Sequence, residues 1–197
     1  MFRSFGLLVF LGWAFAASAA EPIANQNLVA ELRHGGYVLY IRHTSTDFSR
    51  NDAQMTSFEE CASQRPLTDK GRDEARAIAG HIKRLRIPID MVFASPFCRT
   101  VETAMLAFGK AEKTQDVRGG PLRTDDPKRY DALKRLLATA PAKGFNNVIS
   151  SHGNPFHAVF GAPYLAEGEI AVVRPGGNGR FEALARIPLA GWESLPP

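Results

Sequence analysis

The chain has 197 residues, 22% of them charged and 45% apolar, with a formal net charge of +4. That length and balance fit one globular domain of ordinary size with enough apolar material for a core, and no internal repeat or low-complexity block argues otherwise. The positive excess is slight and unclustered, so no nucleic-acid partner is expected, although arginines converging locally would still suit a small anionic substrate.

Residues 1–20, "MFRSFGLLVFLGWAFAASAA", stand apart from the rest. They combine a basic start at Arg3, an apolar stretch from Phe5 to Ala17, and small residues at Ala17 and Ala19, where a signal peptidase reads. The expectation is a cleavable secretory signal at 1–20, a single domain at 21–197, and a periplasmic or secreted protein with no stable membrane insertion after cleavage. The apolar run falls short of the ~20 residues a spanning helix needs, and no basic stop-transfer segment follows; a retained anchor is the alternative. Export bears on the only two cysteines, Cys61 and Cys98. In an oxidising compartment such a pair is a candidate disulfide, whereas in the cytosol two buried thiols are the default. No CxxC or HxxxH spacing accompanies them, so no metal site is expected there.

In chain order, "YVLYI" (Tyr37 to Ile41) is a continuous apolar run of β-formers and predicts a strand covered on both faces. From Thr68, "TDKGRDEARAIAGHIKRL" predicts a capped helix with Ala75, Ile78, Ala79, Ile82 and Leu85 on one stripe, ended by Ile87 and Pro88. "DMVFASP" predicts a second strand, stopping at Ser95 and Pro96. Those two residues are then the expected cap and first turn of a helix burying Val101, Ala104, Met105 and Phe108 and closing at Gly109. A third helix is expected from Asp125 to Pro127 onward, with Tyr130, Leu133, Leu136 and Leu137 inward. "NNVISSHGNP" predicts a third strand stopping at His152, and "VVRPGGNGRFEALARI" a hairpin around "GGNG".

This order predicts an α/β domain with a largely parallel sheet, because parallel neighbours require crossovers. Ligands in such folds sit beyond the carboxyl ends of the strands. Arg42 and His43 follow the first strand, Arg99 lies just past the second, and His152 follows the third. Guanidinium forks match phosphate oxygens and stay charged. A neutral imidazole is nucleophilic near pH 7 and can accept a phosphoryl group on nitrogen. The four side chains together point to phosphoryl transfer.

On these motifs the sequence resembles the histidine phosphatase superfamily, the phosphoglycerate-mutase-like group. "IRHTSTD" resembles its first motif, with Thr44 where glycine or alanine is common. "LTDKGRDEARAIA" is similar to its "LTxxGxxQA" helix and "ASPFCRTVETA" to its "SSPxxRAxxTA", while "SHGNP" takes the place of the second histidine motif. "QRPLTDKGR", "SPFCR", "LAEGEIAVVRP" and the closing Trp192 look like a small exported branch, which often has cysteines where Cys61 and Cys98 stand. The resemblance thus implies a disulfide between them.

It also implies a three-layer α/β/α sandwich around a mostly parallel mixed sheet, and a metal-independent phosphomonoesterase without cofactor, acting on a small phosphorylated substrate. His43 would become phosphohistidine, while Arg42, Arg99 and His152 hold the phosphate. Thr46 is either a further hydroxyl donor to the phosphate or a turn residue bonding its own backbone. Members supply a proton donor as a Glu past the second arginine or an Asp directly after the second histidine. Gly153 follows that histidine here, so Asp125 is the candidate acid and Asp126, before Pro127, reads as a helix cap. Arg118, Arg123 and Arg129 are rim candidates or a solvated face. A phosphoryl-ligand binding module that has lost turnover is the alternative of a different class; a metallohydrolase lacks the carboxylate clusters it would require.

Overall fold

The computed structural model describes residues 25–120 and 126–197. The expected signal at 1–20, together with Arg123 and Asp125, lies outside the described residues.

The apolar run after Gly36 forms strand β1 (Val38–Arg42). Its side chains alternate between two cores: Leu39 and Ile41 enter one cluster, Val38 and Tyr40 the other, all four essentially inaccessible. Each aliphatic side chain so buried stabilises by about 1.5–3 kcal/mol, and a strand apolar on both faces has to lie in the middle of a sandwich. It does. β2 (Ile89–Ala94), β3 (Glu112–Lys113), β4 (Asn146–Ser151), β5 (Ile170–Gly177) and β6 (Arg180–Ile187) complete a six-stranded sheet in the order β3-β2-β4-β1-β5-β6. β1, β2, β3 and β4 run parallel to one another, whereas β5 is antiparallel to both β1 and β6.

Helices cover both faces. α1 (Asn25–His34), α2 (Asp69–Arg84) and α3 (Cys98–Phe108) bring Leu28, Leu32, Ala75, Ile78, Ala104 and Ala107 to the first core. α4 (Asp131–Ala138) and α5 (Gly153–Phe160) bring Leu133, Leu137 and Phe156 to the second. The expected three-layer α/β/α sandwich with a mostly parallel mixed sheet is what forms. The hairpin turns where it is expected, with Asn178 and Gly179 at φ 50° and 76° between β5 and β6.

Several local expectations are corrected. α3 starts at Cys98, with the Phe97 carbonyl accepting from the Thr100 and Val101 amides, and Ser95 is a buried residue of the site instead of a cap. The buried face of α3 is Arg99, Thr100, Thr103, Ala104 and Ala107, while Met105 is 48% exposed. The first turn of α3 faces the polar end of the sheet, so its inner residues there are not apolar. α4 begins at Asp131, and Asp126 caps the turn that leads into it through Oδ1, which accepts from the Lys128 amide at 2.9 Å. α1 and α5 are additional helices, α5 only eight residues long and led by "GNP".

Candidate active site

The carboxyl ends of β1, β2 and β4 lie side by side, in register from Ile41 to Ser150 and from Ala94 to Ser150. The chain leaves β1 at Arg42 and His43 and leaves β4 at His152, while Arg99 sits in the first turn of α3, just beyond β2. All four line one cleft of about 250 Å³, which Asp52, Arg65, Phe97, Asn154 and Tyr164 also line.

The segment after β1 is pinned at each residue. The Thr44 amide donates to Thr103 Oγ1 at 3.3 Å and the two hydroxyls pair at 3.3 Å, so the threonine standing where glycine or alanine is common ties the loop to α3. Ser45 donates through its amide and hydroxyl to Glu74 of α2. The Ser45 carbonyl in turn accepts from the Thr68 amide and hydroxyl, at the point where Thr68 caps α2. This approach leaves no room at Gly71: a Cβ there would lie 2.1 Å from the Ser45 oxygen. The "LTDKG" motif is therefore a docking surface for the loop that carries His43.

His43 is 1% exposed, and its Nδ1 lies 3.0 Å from the Thr44 carbonyl oxygen. A carbonyl only accepts, so Nδ1 carries the proton and Nε2 keeps its lone pair. Burial holds the His43 imidazole well below the usual histidine range; the Thr44 bond opposes this, and Arg99, Arg42 and Arg65 add to it. His152 is likewise pushed well down, by burial first and then by His43 and the same arginines. Both rings are neutral at pH 7. They meet edge to face at 5.4 Å, and His152 Nε2 shares a 2.8 Å hydrogen bond with the Ser95 hydroxyl.

Arg42 donates to the Leu165 carbonyl at 2.9 Å and stands 3.5 Å from Glu167. Arg99, 5% exposed, is paired with Asp52 at 3.0 Å and stacked over Phe97 at 4.4 Å. Burial lowers its proton affinity and Asp52 restores part of it. Among the described residues the Nε of Arg42 and of Arg99 are buried without a hydrogen-bond partner, a local cost carried by the site.

Thr46 reaches the site differently from either expectation: its hydroxyl donates to Glu167 Oε1 at 2.7 Å, neither free for a phosphate nor bonded to its own backbone. Glu167 Oε1 is 3.8 Å from His43 Nδ1, behind the ring with respect to Nε2. Its loop is held by Arg186, which donates to Glu169, Pro163 and Tyr164.

Cys61 and Cys98 are disulfide-bonded, with Cα atoms 5.7 Å apart. The bond fastens the loop 47–66, which carries Asp52 and Arg65, to the first residue of α3, beside Arg99. Buried Gln64 adds to the clamp, accepting from the Cys98 amide at 2.9 Å. Arg65, Asp52, Glu167 and Tyr164 were not singled out by sequence reasoning. The first and third do fall inside "QRPLTDKGR" and "LAEGEIAVVRP", the segments that carry the branch resemblance.

Arginines and two neutral histidines thus share one pocket at the carboxyl edge of this sheet, an arrangement suited to a tetrahedral oxyanion. Residues 38–119, which contain the first three of the four motifs, match the model of the histidine phosphatase superfamily (branch 1). Among solved structures, the protein histidine phosphatase SixA complexed with tungstate matches at 22% identity, covering 78% of this chain and 97% of that one, with a TM-score of 0.54. A putative phosphohistidine phosphatase SixA from Agrobacterium tumefaciens matches at 16% identity, 78% and 98% coverage and a TM-score of 0.53. A phosphoserine phosphatase mutant from Entamoeba histolytica, in complex with phosphoserine, matches at 14% identity, 79% and 98% coverage and a TM-score of 0.54. No curated protein matches the chain.

Proposed function

We propose that the protein is an exported phosphomonoesterase that hydrolyses a small phosphate ester through a phosphohistidine on His43. The observation that carries this reading is the convergence of His43, with Nδ1 proton-bearing and Nε2 free, and three arginines in one small cleft. His43 Nε2 attacks phosphorus in line with the leaving oxygen. Arg42, Arg65, Arg99 and His152 bind the non-bridging oxygens and stabilise the charge that builds on them in transfer. Water then cleaves the P–N bond and releases phosphate. The three guanidinium groups supply the cationic charge, so the mechanism needs no metal or organic cofactor.

The tungstate and phosphoserine complexes of the structural relatives support a phosphorylated substrate. The disulfide fits an oxidising compartment, in keeping with a signal at 1–20, and no helix among the described residues is long and apolar enough to cross a membrane.

The test is hydrolysis of p-nitrophenyl phosphate by the mature protein. We expect turnover that persists in chelator and is abolished in His43→Ala. Loss of activity in EDTA contradicts the metal-free mechanism, and phosphate binding without turnover replaces the reading by a binding module.

A further inference from the structure

We infer that Asp52 is the proton donor to the leaving group. This rests on the phosphatase reading and assigns a role that the site otherwise leaves open.

Among the described residues Asp52 is the one carboxylate lining the cleft, which His43, Arg99 and His152 also line. Its Oδ1 accepts from Arg99 at 3.0 Å and from the Arg65 amide at 2.8 Å, whereas Oδ2 has no partner among the described residues and the side chain is 29% exposed. One oxygen is thus anchored and the other open to the cleft. The placement is built into the fold: the Thr46–Leu67 bridge closes the loop at its base, and the disulfide ties its far side to α3.

The other carboxylates are worse placed. Glu167 lies on the Nδ1 side of His43 and takes the Thr46 hydroxyl, so it is away from the leaving oxygen. Asp126 is exposed and caps its turn.

The chemistry balances without a further reactant. An ester monoanion brings one proton, which it shares with the Asp52 carboxylate once its phosphoryl oxygens occupy Arg99. As the P–O bond breaks and the P–Nε2 bond forms, Asp52 gives that proton to the departing oxygen, and the alcohol leaves. The Asp52 carboxylate then takes a proton from the water that attacks phosphorus, His43 Nε2 recovers its electron pair, and phosphate is released.

The test compares Asp52→Asn, Asp125→Asn and the unaltered protein on p-nitrophenyl phosphate, whose leaving group needs little protonation, and on an alkyl phosphate, whose alkoxide needs it most. The ratio of the two rates on one preparation does not depend on how much of it is folded. Asp52→Asn is expected to depress the alkyl rate at least about 100-fold more than the aryl rate, within the 10²–10⁴ range of general acid catalysis. It should also remove the basic limb of the alkyl pH–rate profile. Equal losses on both esters overturn the inference and leave Asp52 as a positioning residue for Arg99; selective loss in Asp125→Asn instead assigns the proton to Asp125. Failure of the unaltered protein to turn over either ester overturns the phosphatase reading itself, a result distinct from uniform loss in the variant.

Discussion

Replacing Gly153 by alanine probes why the residue after the second histidine is neither an acid nor any other side chain. A Cβ at this position would lie 2.1 Å from Tyr164 Cε1 and 2.4 Å from its hydroxyl oxygen. Carbon atoms pack at about 3.5–4.0 Å, so the ring has to move by more than about 1 Å. That movement breaks the 2.7 Å hydrogen bond from the Tyr164 hydroxyl to Asn154, worth about 1 kcal/mol. It also displaces the ring from the Arg42 guanidinium, 5.3 Å from its centroid, at a further cost of about 0.5–1 kcal/mol. Alanine recovers up to about 1 kcal/mol as a better helix former at the start of α5. The net loss in Gly153→Ala is therefore about 1 kcal/mol. In a Tyr164→Ala background the clash is absent and the same change should be neutral or stabilising. Urea denaturation of the four proteins gives the coupling directly, with about 2 kcal/mol expected. Additivity within about 0.5 kcal/mol would refute the packing explanation, because two residues that do not compete for space do not couple.

Three other outcomes follow from the site. Cys61→Ser/Cys98→Ser opens a loop of 37 residues and should cost about 4 kcal/mol on the chain-entropy model, read as a lower denaturation midpoint. Arg65→Ala should lower kcat/KM by about 100-fold, as expected for one lost donor to transition-state charge, with little change in melting temperature. Burial holds both site histidines well below their unfolded value of about 6.5. The unfolded chain therefore takes up protons below that pH that the folded chain refuses, and stability should fall as pH drops from about 6.5. Melting temperature followed across this range should decline more gently in His152→Asn, and kcat/KM should keep its plateau below pH 6.5.

The residues at strand exits were legible because the signal is local. An apolar run that ends in Arg42 and His43, or in His152, marks both the strand and the edge where ligands bind. The middle of the sheet was legible for the same reason. Asp52 and Arg65 were not, because they sit on a loop without periodicity whose position is set by a disulfide and by buried Gln64, contacts remote in sequence. Glu167 and Tyr164 depend likewise on Arg186, which reaches back from β6 to hold their loop. The Met105 expectation failed because α3 runs from the polar cleft into the core, so no single apolar stripe describes its buried face.

In the proposed mechanism His43 carries the phosphoryl group on Nε2, since Nδ1 is bonded to the Thr44 carbonyl. Its most direct test is rapid alkaline quench of the protein during turnover of a labelled phosphoester, followed by peptide mapping and identification of the phosphohistidine isomer. A label on His43 alone, acid-labile and base-stable, on Nε2 is expected. A label on Nδ1 or on His152, or none at a steady state of turnover, would contradict it.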